Sequence, residues 1–121
     1  MWCVAKTIGR ETRACFYLSR AGIRNFRPVE NRWFKDKRTG QQKYRIASVF
    51  SGYVFVELNG HDERDAACRA IGVSGLLGWW SDSGYRLAEV PAHYVTDLMD
   101  AKPRDINKPN ARSFNKGQKV E

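Results

Sequence analysis

The side chains that most often do chemistry are not arranged for catalysis in this chain. His61 and His93 stand in no metal-binding spacing with any of the three cysteines. Residues 72–75 are too short for a glycine-rich phosphate loop, and no Lys-Ser or Lys-Thr pair follows them. The acidic residues at 62–65 fall at the start of a predicted helix, where they complement the helix dipole. We therefore expect a protein that is not an enzyme and that uses no metal or cofactor.

The chemistry that the residues do favour is binding by aromatic side chains. In the segment Gly52-Tyr53-Val54-Phe55-Val56, a strand period of two places Tyr53 and Phe55 on one face. Aliphatic side chains at positions 54, 56 and 58 occupy the other face. The helices of the chain can cover one face, and the other face then presents aromatic rings that need a partner.

A second candidate surface lies on the first predicted helix, over residues 10–22. At about 100° per residue, small and aliphatic side chains gather on one face, which packs onto a sheet. The opposite face is basic and carries one aromatic ring; its members are Arg10, Arg13, Tyr17, Arg20 and Arg24. A purely solvated helix face is the alternative.

The composition favours one folded domain with a polyanionic partner. The chain has 121 residues, 42% of them hydrophobic, so it can bury a core. Lys and Arg number 21 against 13 Asp and Glu, and the formal charge of +8 indicates either contact with nucleic acid or only high solubility. The three widely spaced cysteines indicate core thiols in a reducing cytosol. The sequence shows neither a signal-peptide pattern nor an apolar run of membrane-spanning length.

These surfaces must be positioned by a mixed set of helices and strands. Periodicity and turn residues predict strands at 2–8, 23–33, 44–58, 76–80 and 85–87, and helices at 10–22, 62–71 and from Pro91 onward. The order β-α-β-β-α-β, with an added hairpin and helix, favours an α+β fold. We expect an antiparallel sheet of four or slightly more strands, flanked by helices on one face. The basic connection at 34–43 is a further nucleic-acid candidate, and the equal alternatives for such an exposed loop are contact with a protein or with nothing.

The aromatic segment by itself resembles a strand of the RNA-recognition motif, in which rings stack on unpaired bases. The predicted order of elements agrees with that motif. Ser51 stands where a basic residue is expected, and the first strand offers an aromatic ring only at Trp2. This resemblance implies a single-stranded RNA-binding module as the alternative function. A third possibility is a protein that sequesters some other acidic partner, but no residue pattern supports it.

The whole chain is more similar to the N-terminal domain, or NGN domain, of the NusG family of transcription factors. Six segments carry this resemblance in the family's order: Trp2-Cys3-Val4-Ala5 with Gly9-Arg10-Glu11, Phe26-Arg27-Pro28, 50–56, 71–78, Val90-Pro91 and 114–120. The last segment is similar to the opening of the KOW domain that follows the linker in this family. The resemblance implies an NGN-like domain at 1–100, a linker at 101–113, and the start of a truncated or absent KOW domain at 114–121.

The resemblance implies a transcription elongation factor that binds the clamp helices of the RNA polymerase β′ subunit. Such a factor bridges the polymerase cleft and modulates pausing or termination. The residues that it assigns to clamp-helix binding are Tyr53, Phe55, Phe50, Leu76, Trp2 and Val90. Burial in the core is the alternative for Phe50 and Leu76, and also for Tyr53 and Phe55.

The resemblance also implies two further contacts. It adds Lys6 to the arginine face, so that Lys6, Arg10, Arg13, Tyr17, Arg20 and Arg24 would contact upstream or non-template DNA. It places a contact to the polymerase gate loop at Asp62, Glu63 and Arg64. A factor of this kind is expected to be bacterial and cytoplasmic, monomeric when free, and not associated with a membrane.

Overall fold

The computed structural model describes residues 1–109. Their helices are α1 (Glu11–Arg20), α2 (His61–Arg69) and α3 (Ala92–Asp100). Their strands are β1 (Trp2–Thr7), β2 (Asn25–Phe26), β3 (Val29–Lys35), β4 (Gln42–Ser48), β5 (Tyr53–Glu57), β6 (Val73–Leu76), β7 (Gly78–Ser81), β8 (Gly84–Leu87), β9 (Glu89–Val90) and β10 (Asp105–Ile106). The predicted start of a KOW domain at 114–121 lies outside the described residues.

The described residues divide into two units. The helical unit comprises residues 1–28 and 48–101, and the hairpin unit comprises residues 29–47 and 102–109. In the helical unit the strands pair in the order β2-β5-β1-β6, and β9 also pairs with β1. Every one of these pairings is antiparallel. The predicted α+β class with an antiparallel sheet is therefore confirmed, and the sheet has five strands.

The two faces of this sheet are both covered by helices. Cys3 and Ala5 of β1 point with Val54 and Val56 of β5 into a core that α1 and α2 close. The alternate residues, Trp2 and Phe55 among them, form a second cluster under Val95 of α3. Because successive side chains of a strand point to opposite faces, α3 lies on the face opposite α1. The expectation of helices on one face only is wrong.

Helix α3 packs onto the sheet through its apolar residues. Val95 is almost fully buried, and Leu98 and Met99 pack against the same cluster. Pro91 was predicted as the first helical residue, but it is the N-cap residue, and the helix begins one position later at Ala92. Since α3 covers Phe55, the aromatic face of the sheet is only partly open to a partner.

Two predicted strands are each divided in the structure. The run 23–33 splits into β2 and β3 around Pro28, which has no N–H to give to a ladder. The run 44–58 splits into β4 and β5, because residues 49–52 form a turn in which Gly52 has a φ of 87°. The N–H of Val49 donates to the Pro28 carbonyl at 3.0 Å, so the two breaks stabilise each other.

The strand predicted at 76–80 is shifted in the structure. Pairing with β1 begins at Val73 rather than Leu76, and β6 ends where Leu77 starts the connection to β7. Among the strands of residues 1–109, β7 then pairs only with β8, as a separate hairpin. A Cβ atom at Gly78 would overlap the Arg86 carbonyl, so glycine permits the close approach of these two strands.

The hairpin unit is a sheet in the order β10-β3-β4. Asp105 and Ile106 pair in parallel with Asn31 and Arg32 of β3. Part of the segment predicted as a linker therefore forms a strand. The turn between β3 and β4 is closed by the N–H of Asp36, which donates to the Gln41 carbonyl at 2.8 Å.

The three cysteines are free thiols in the structure. Cys3 is buried and Cys15 is half-buried, and burial is the main cause that raises the pKa of each thiol. Cys68 is exposed on α2, so its assignment to the core is wrong. Across residues 1–109, no helix is long and apolar enough to span a membrane.

Candidate functional site

An apolar groove opens beside β1 and β5 in the helical unit. It has a volume of about 220 Å³ and is lined by Val4, Phe50, Tyr53, Val54, Phe55 and Leu77. In the antiparallel register, Val4 faces Phe55 and Lys6 faces Tyr53. Residues paired in this way share one face of the sheet, so Lys6 borders the groove.

The aromatic rings of the groove are organised around Phe55. This ring is only 7% exposed, and the rings of Phe50 and Tyr94 meet it edge-on at 6.0 Å and 6.4 Å. Phe50, Tyr53 and Tyr94 are 38%, 40% and 45% exposed. Phe55 is therefore the buried ring against which Phe50 and Tyr94 pack, and the exposed parts of its neighbours form the contact surface. Edge-to-face pairs of this kind favour a fixed ring geometry.

The turn at residues 49–52 sets the position of two of these rings. The N–H of Gly52 donates to the carboxylate of Glu11 at 2.6 Å, and the N–H of Thr7 donates to the Gly52 carbonyl at 2.9 Å. The hydrogen bond from Gly52 is the main reason why the pKa of Glu11 lies below its ordinary value. The first turn of α1 therefore holds the turn that carries Phe50 and leads into Tyr53.

The outer face of α1 is basic, as its periodicity predicts. Arg10, Arg13 and Arg20 are exposed, and Tyr17 is half-buried. Phe16, which the sequence interpretation left out, is 56% exposed and meets Tyr17 edge-on at 5.2 Å. The guanidinium of Arg20 lies 5.7 Å from the Phe16 ring centre, so this face presents cations next to an exposed ring.

The family model described as transcription termination factor nusG matches residues 1–99. The chain belongs to the NusG family. No curated protein matches the sequence. NusG-family proteins are transcription elongation and termination factors, they bind RNA polymerase, and the family is not one of enzymes. The matched region contains the groove, the turn at 49–52 and the basic face of α1.

The clamp-helix residues predicted for a NusG protein do not all reach the groove. Tyr53 and Phe50 do, with part of Phe55. Trp2 is 5% exposed beneath α3, and Val90 is half-buried beside it. Leu76 pairs with Ala5 and lies in the core under α1 and α2, so the groove contains its neighbour Leu77 instead.

Two of the predicted nucleic-acid residues lie apart from the arginine face of this NusG domain. Lys6 is on the groove face of the sheet, because it pairs with Tyr53. Arg24 lies 3.5 Å from the Glu57 carboxylate, and its guanidinium is 5.4 Å from the centre of the Trp2 ring. The structure therefore brings together Arg13, Tyr17 and Arg20 of α1 with Arg10, the residue just before the helix.

The predicted gate-loop residues lie at the start of α2. Asp62 is exposed, and Glu63 accepts a hydrogen bond from the N–H of Asn59 at 2.6 Å. Arg64 is half-buried and lines a shallow pocket of about 390 Å³ with Leu58 and Leu87. Glu63 is therefore occupied in stabilising the helix start. In the described part of the chain, no group of three or more His, Cys, Asp and Glu side chains could hold a metal ion.

Proposed function

We propose that this protein is a transcription elongation factor that docks on the β′ clamp helices of RNA polymerase through the groove around Tyr53. The observation that carries the proposal is the groove itself: exposed aromatic rings lie beside the buried Phe55 ring, within the region that matches the family. Interface hot spots are typically such rings, desolvated at the centre of the contact. Val4 and Leu77 supply the aliphatic walls.

A helix of the polymerase suits the shape and chemistry of this surface. Amphipathic helices lay an apolar stripe into hydrophobic grooves, with anchors about one turn apart. Lys6 borders the groove and offers a charge to the polar side of such a helix. A factor bound there acts without chemistry, because it stabilises one arrangement of the clamp over another. We expect fewer pauses when that arrangement is the elongating one.

The arginine face of α1 supplies the second part of the proposal. Arg10, Arg13 and Arg20 contact phosphates of upstream or non-template DNA in the transcription complex, and Phe16 and Tyr17 offer rings to an unpaired base. Asp62 is the residue of the α2 start that is best placed to contact the gate loop, because Glu63 is engaged with Asn59.

The alternative of an RNA-recognition motif is less consistent with the geometry. In that motif, the rings of the sheet must be open to stack on bases. Phe55 is 7% exposed and lies under α3, and Trp2 is 5% exposed in the same cluster. This sheet therefore lacks the open aromatic platform that the alternative requires.

The decisive experiment is capture of RNA polymerase core enzyme by tagged protein. Tyr53→Ala should lose most of the capture, while Trp80→Ala should keep it. Trp80 is a suitable control because it is 78% exposed and lies outside the groove. Thermal unfolding checks that both variants are fully folded at the temperature of the capture experiment. Equal capture by Tyr53→Ala and the parent would refute docking through the groove.

A further inference from the structure

The positive charge of the protein is concentrated in one of its two units. The helical unit contains nine Lys and Arg against nine Asp and Glu, and is formally neutral. Residues 29–47 and 102–109 of the hairpin unit contain nine Lys and Arg against three Asp and Glu, a formal charge of +6. The global excess that indicates a polyanionic partner therefore belongs chiefly to the hairpin unit.

The three acids of this unit are already engaged by its own groups. The Asp36 carboxylate contacts the Lys43 ammonium at 2.8 Å and the N–H of Arg38 at 2.9 Å. Glu30 pairs with Arg32 at 2.7 Å. Asp105 accepts hydrogen bonds from the side chains of Trp33 and Asn31. Six further cations of the unit form no ion pair within residues 1–109: Lys35, Lys37, Arg38, Arg45, Lys102 and Arg104.

The same sheet exposes apolar side chains that its own fold does not use. Tyr44 is 52% exposed and Ile46 is 61% exposed, and they lie on one face of β4 because they are two residues apart. On β3, Phe34 is 45% exposed. Charge alone would make the unit soluble, and it gives no reason for these side chains to face solvent.

The ring of Tyr44 packs on one side against the ring of Trp33. Its ring lies 4.9 Å from the Trp33 ring at an angle of 43°. The Trp33 indole N–H donates to Asp105 at 3.0 Å, and the Lys108 ammonium lies 5.8 Å from the Trp33 ring centre. Trp33 is thereby oriented by β10 and supports Tyr44, whose outer part is open.

We propose that the sheet of β3, β4 and β10 binds single-stranded nucleic acid. Unpaired bases stack on Tyr44 and pack against Ile46, while phosphates contact Lys35, Lys37 and Arg38 near the turn. Sites for single strands combine a positive surface with exposed rings in this way, and every base offers a face for stacking. A duplex presents its phosphates and keeps its bases stacked, so it would leave the exposed ring and aliphatic side chain unused.

This site is distinct from the groove and from the arginine face of α1, and it requires no polymerase. Its test is therefore independent of the docking proposal. The full chain is titrated into fluorescein-labelled oligo(dT) of about 12 nucleotides, a length within the range of known single-strand sites. A duplex of the same length and label is titrated in parallel. Fluorescence anisotropy at several salt concentrations gives the affinity and its salt dependence.

Two substitutions separate stacking from charge. Tyr44→Ala should weaken binding to oligo(dT) about tenfold, and Tyr44→Phe should bind as the parent does, because the ring is retained. The pair Lys37→Glu and Arg38→Glu should weaken binding more than tenfold and reduce the salt dependence. The matched control is the pair Arg69→Glu and Arg86→Glu, which makes the same change in net charge at exposed sites of the helical unit.

The binding measurements test both the location of the site and the stacking of bases on Tyr44. If the control pair weakens binding as much as the hairpin pair, the hairpin unit is not the site. Duplex binding as tight as single-strand binding, together with no effect of Tyr44→Ala, would overturn the stacking claim and leave only a phosphate contact. Circular dichroism of each variant shows whether a loss of binding comes from unfolding.

Discussion

The carboxylate of Glu11 accepts a hydrogen bond from the backbone N–H of Gly52 at 2.6 Å. This hydrogen bond joins the first turn of α1 to the turn at residues 49–52, which carries Phe50 and leads into Tyr53. The two proposed surfaces of the helical unit, the basic face of α1 and the aromatic groove, therefore share one physical link. A residue that touches neither partner can then influence both.

Glu11→Ala should lower both the stability of the protein and its binding to polymerase, although it removes no side chain of the groove. Hydrogen bonds to charged groups contribute about 1.5–3 kcal/mol, and because Glu11 is partly solvated we expect a loss near the lower end. Denaturant unfolding measures that loss, and polymerase capture should fall in the same variant. Asp65→Ala, at an exposed acid of α2, should change neither quantity. Unchanged capture by Glu11→Ala would show that the turn keeps its geometry unaided.

The same contact predicts a dependence of stability on pH. The pKa of Glu11 is lowered in the folded protein, mainly by the Gly52 N–H, so folding favours the ionised carboxylate. Its contribution is complete above the ordinary pKa of glutamate and is lost as pH falls through the lowered folded value. The difference in unfolding free energy between the parent and Glu11→Gln should therefore shrink between about pH 5 and pH 3. A difference that stays constant over this interval would contradict the assignment.

Phe55 and Tyr53 should respond differently to truncation, although they are alternate residues of one strand. Phe55→Ala removes a ring that is 7% exposed and packs with Trp2 and Val95. The loss of this ring should lower the unfolding free energy by about 3–5 kcal/mol. Tyr53→Ala removes a ring that is 40% exposed and should cost less than about 1 kcal/mol. Chemical denaturation of both variants checks this. Similar losses for the two would mean that Tyr53 is also a core residue.

Local periodicity was enough to assign the two faces of β5. Tyr53 and Phe55 do fall on one face and Val54 and Val56 on the other, because a strand alternates regardless of what covers it. The same rule applied to β1 would have added Val4 to the groove. What periodicity could not supply was the position of α3, which depends on a contact between distant segments. That contact buries Phe55 and Trp2, and it changes their expected role.

The exact side-chain set of the groove depended on a strand boundary that the residues do not mark. Leu76 and Leu77 are identical in type, and only pairing with β1 decides which of them faces the core. Pairing begins at Val73, so Leu76 is buried and Leu77 lines the groove. The basic connection at 34–43 is visible in the sequence, but the near neutrality of the rest of the described chain emerges only when the two units are counted separately.

Reversing charge on α1 should separate elongation from docking. Arg10→Glu with Arg13→Glu changes two exposed cations at the start of the helix and leaves the groove residues intact. We expect polymerase capture within about twofold of the parent, because exposed rim charges contribute little to affinity. Pause lifetimes on a defined template should return towards those without the factor, most strongly at low salt, where phosphate contacts are strongest. The pair Arg69→Glu and Arg86→Glu controls for net charge. Identical pausing with both pairs would show that the arginine face of α1 does not contact DNA.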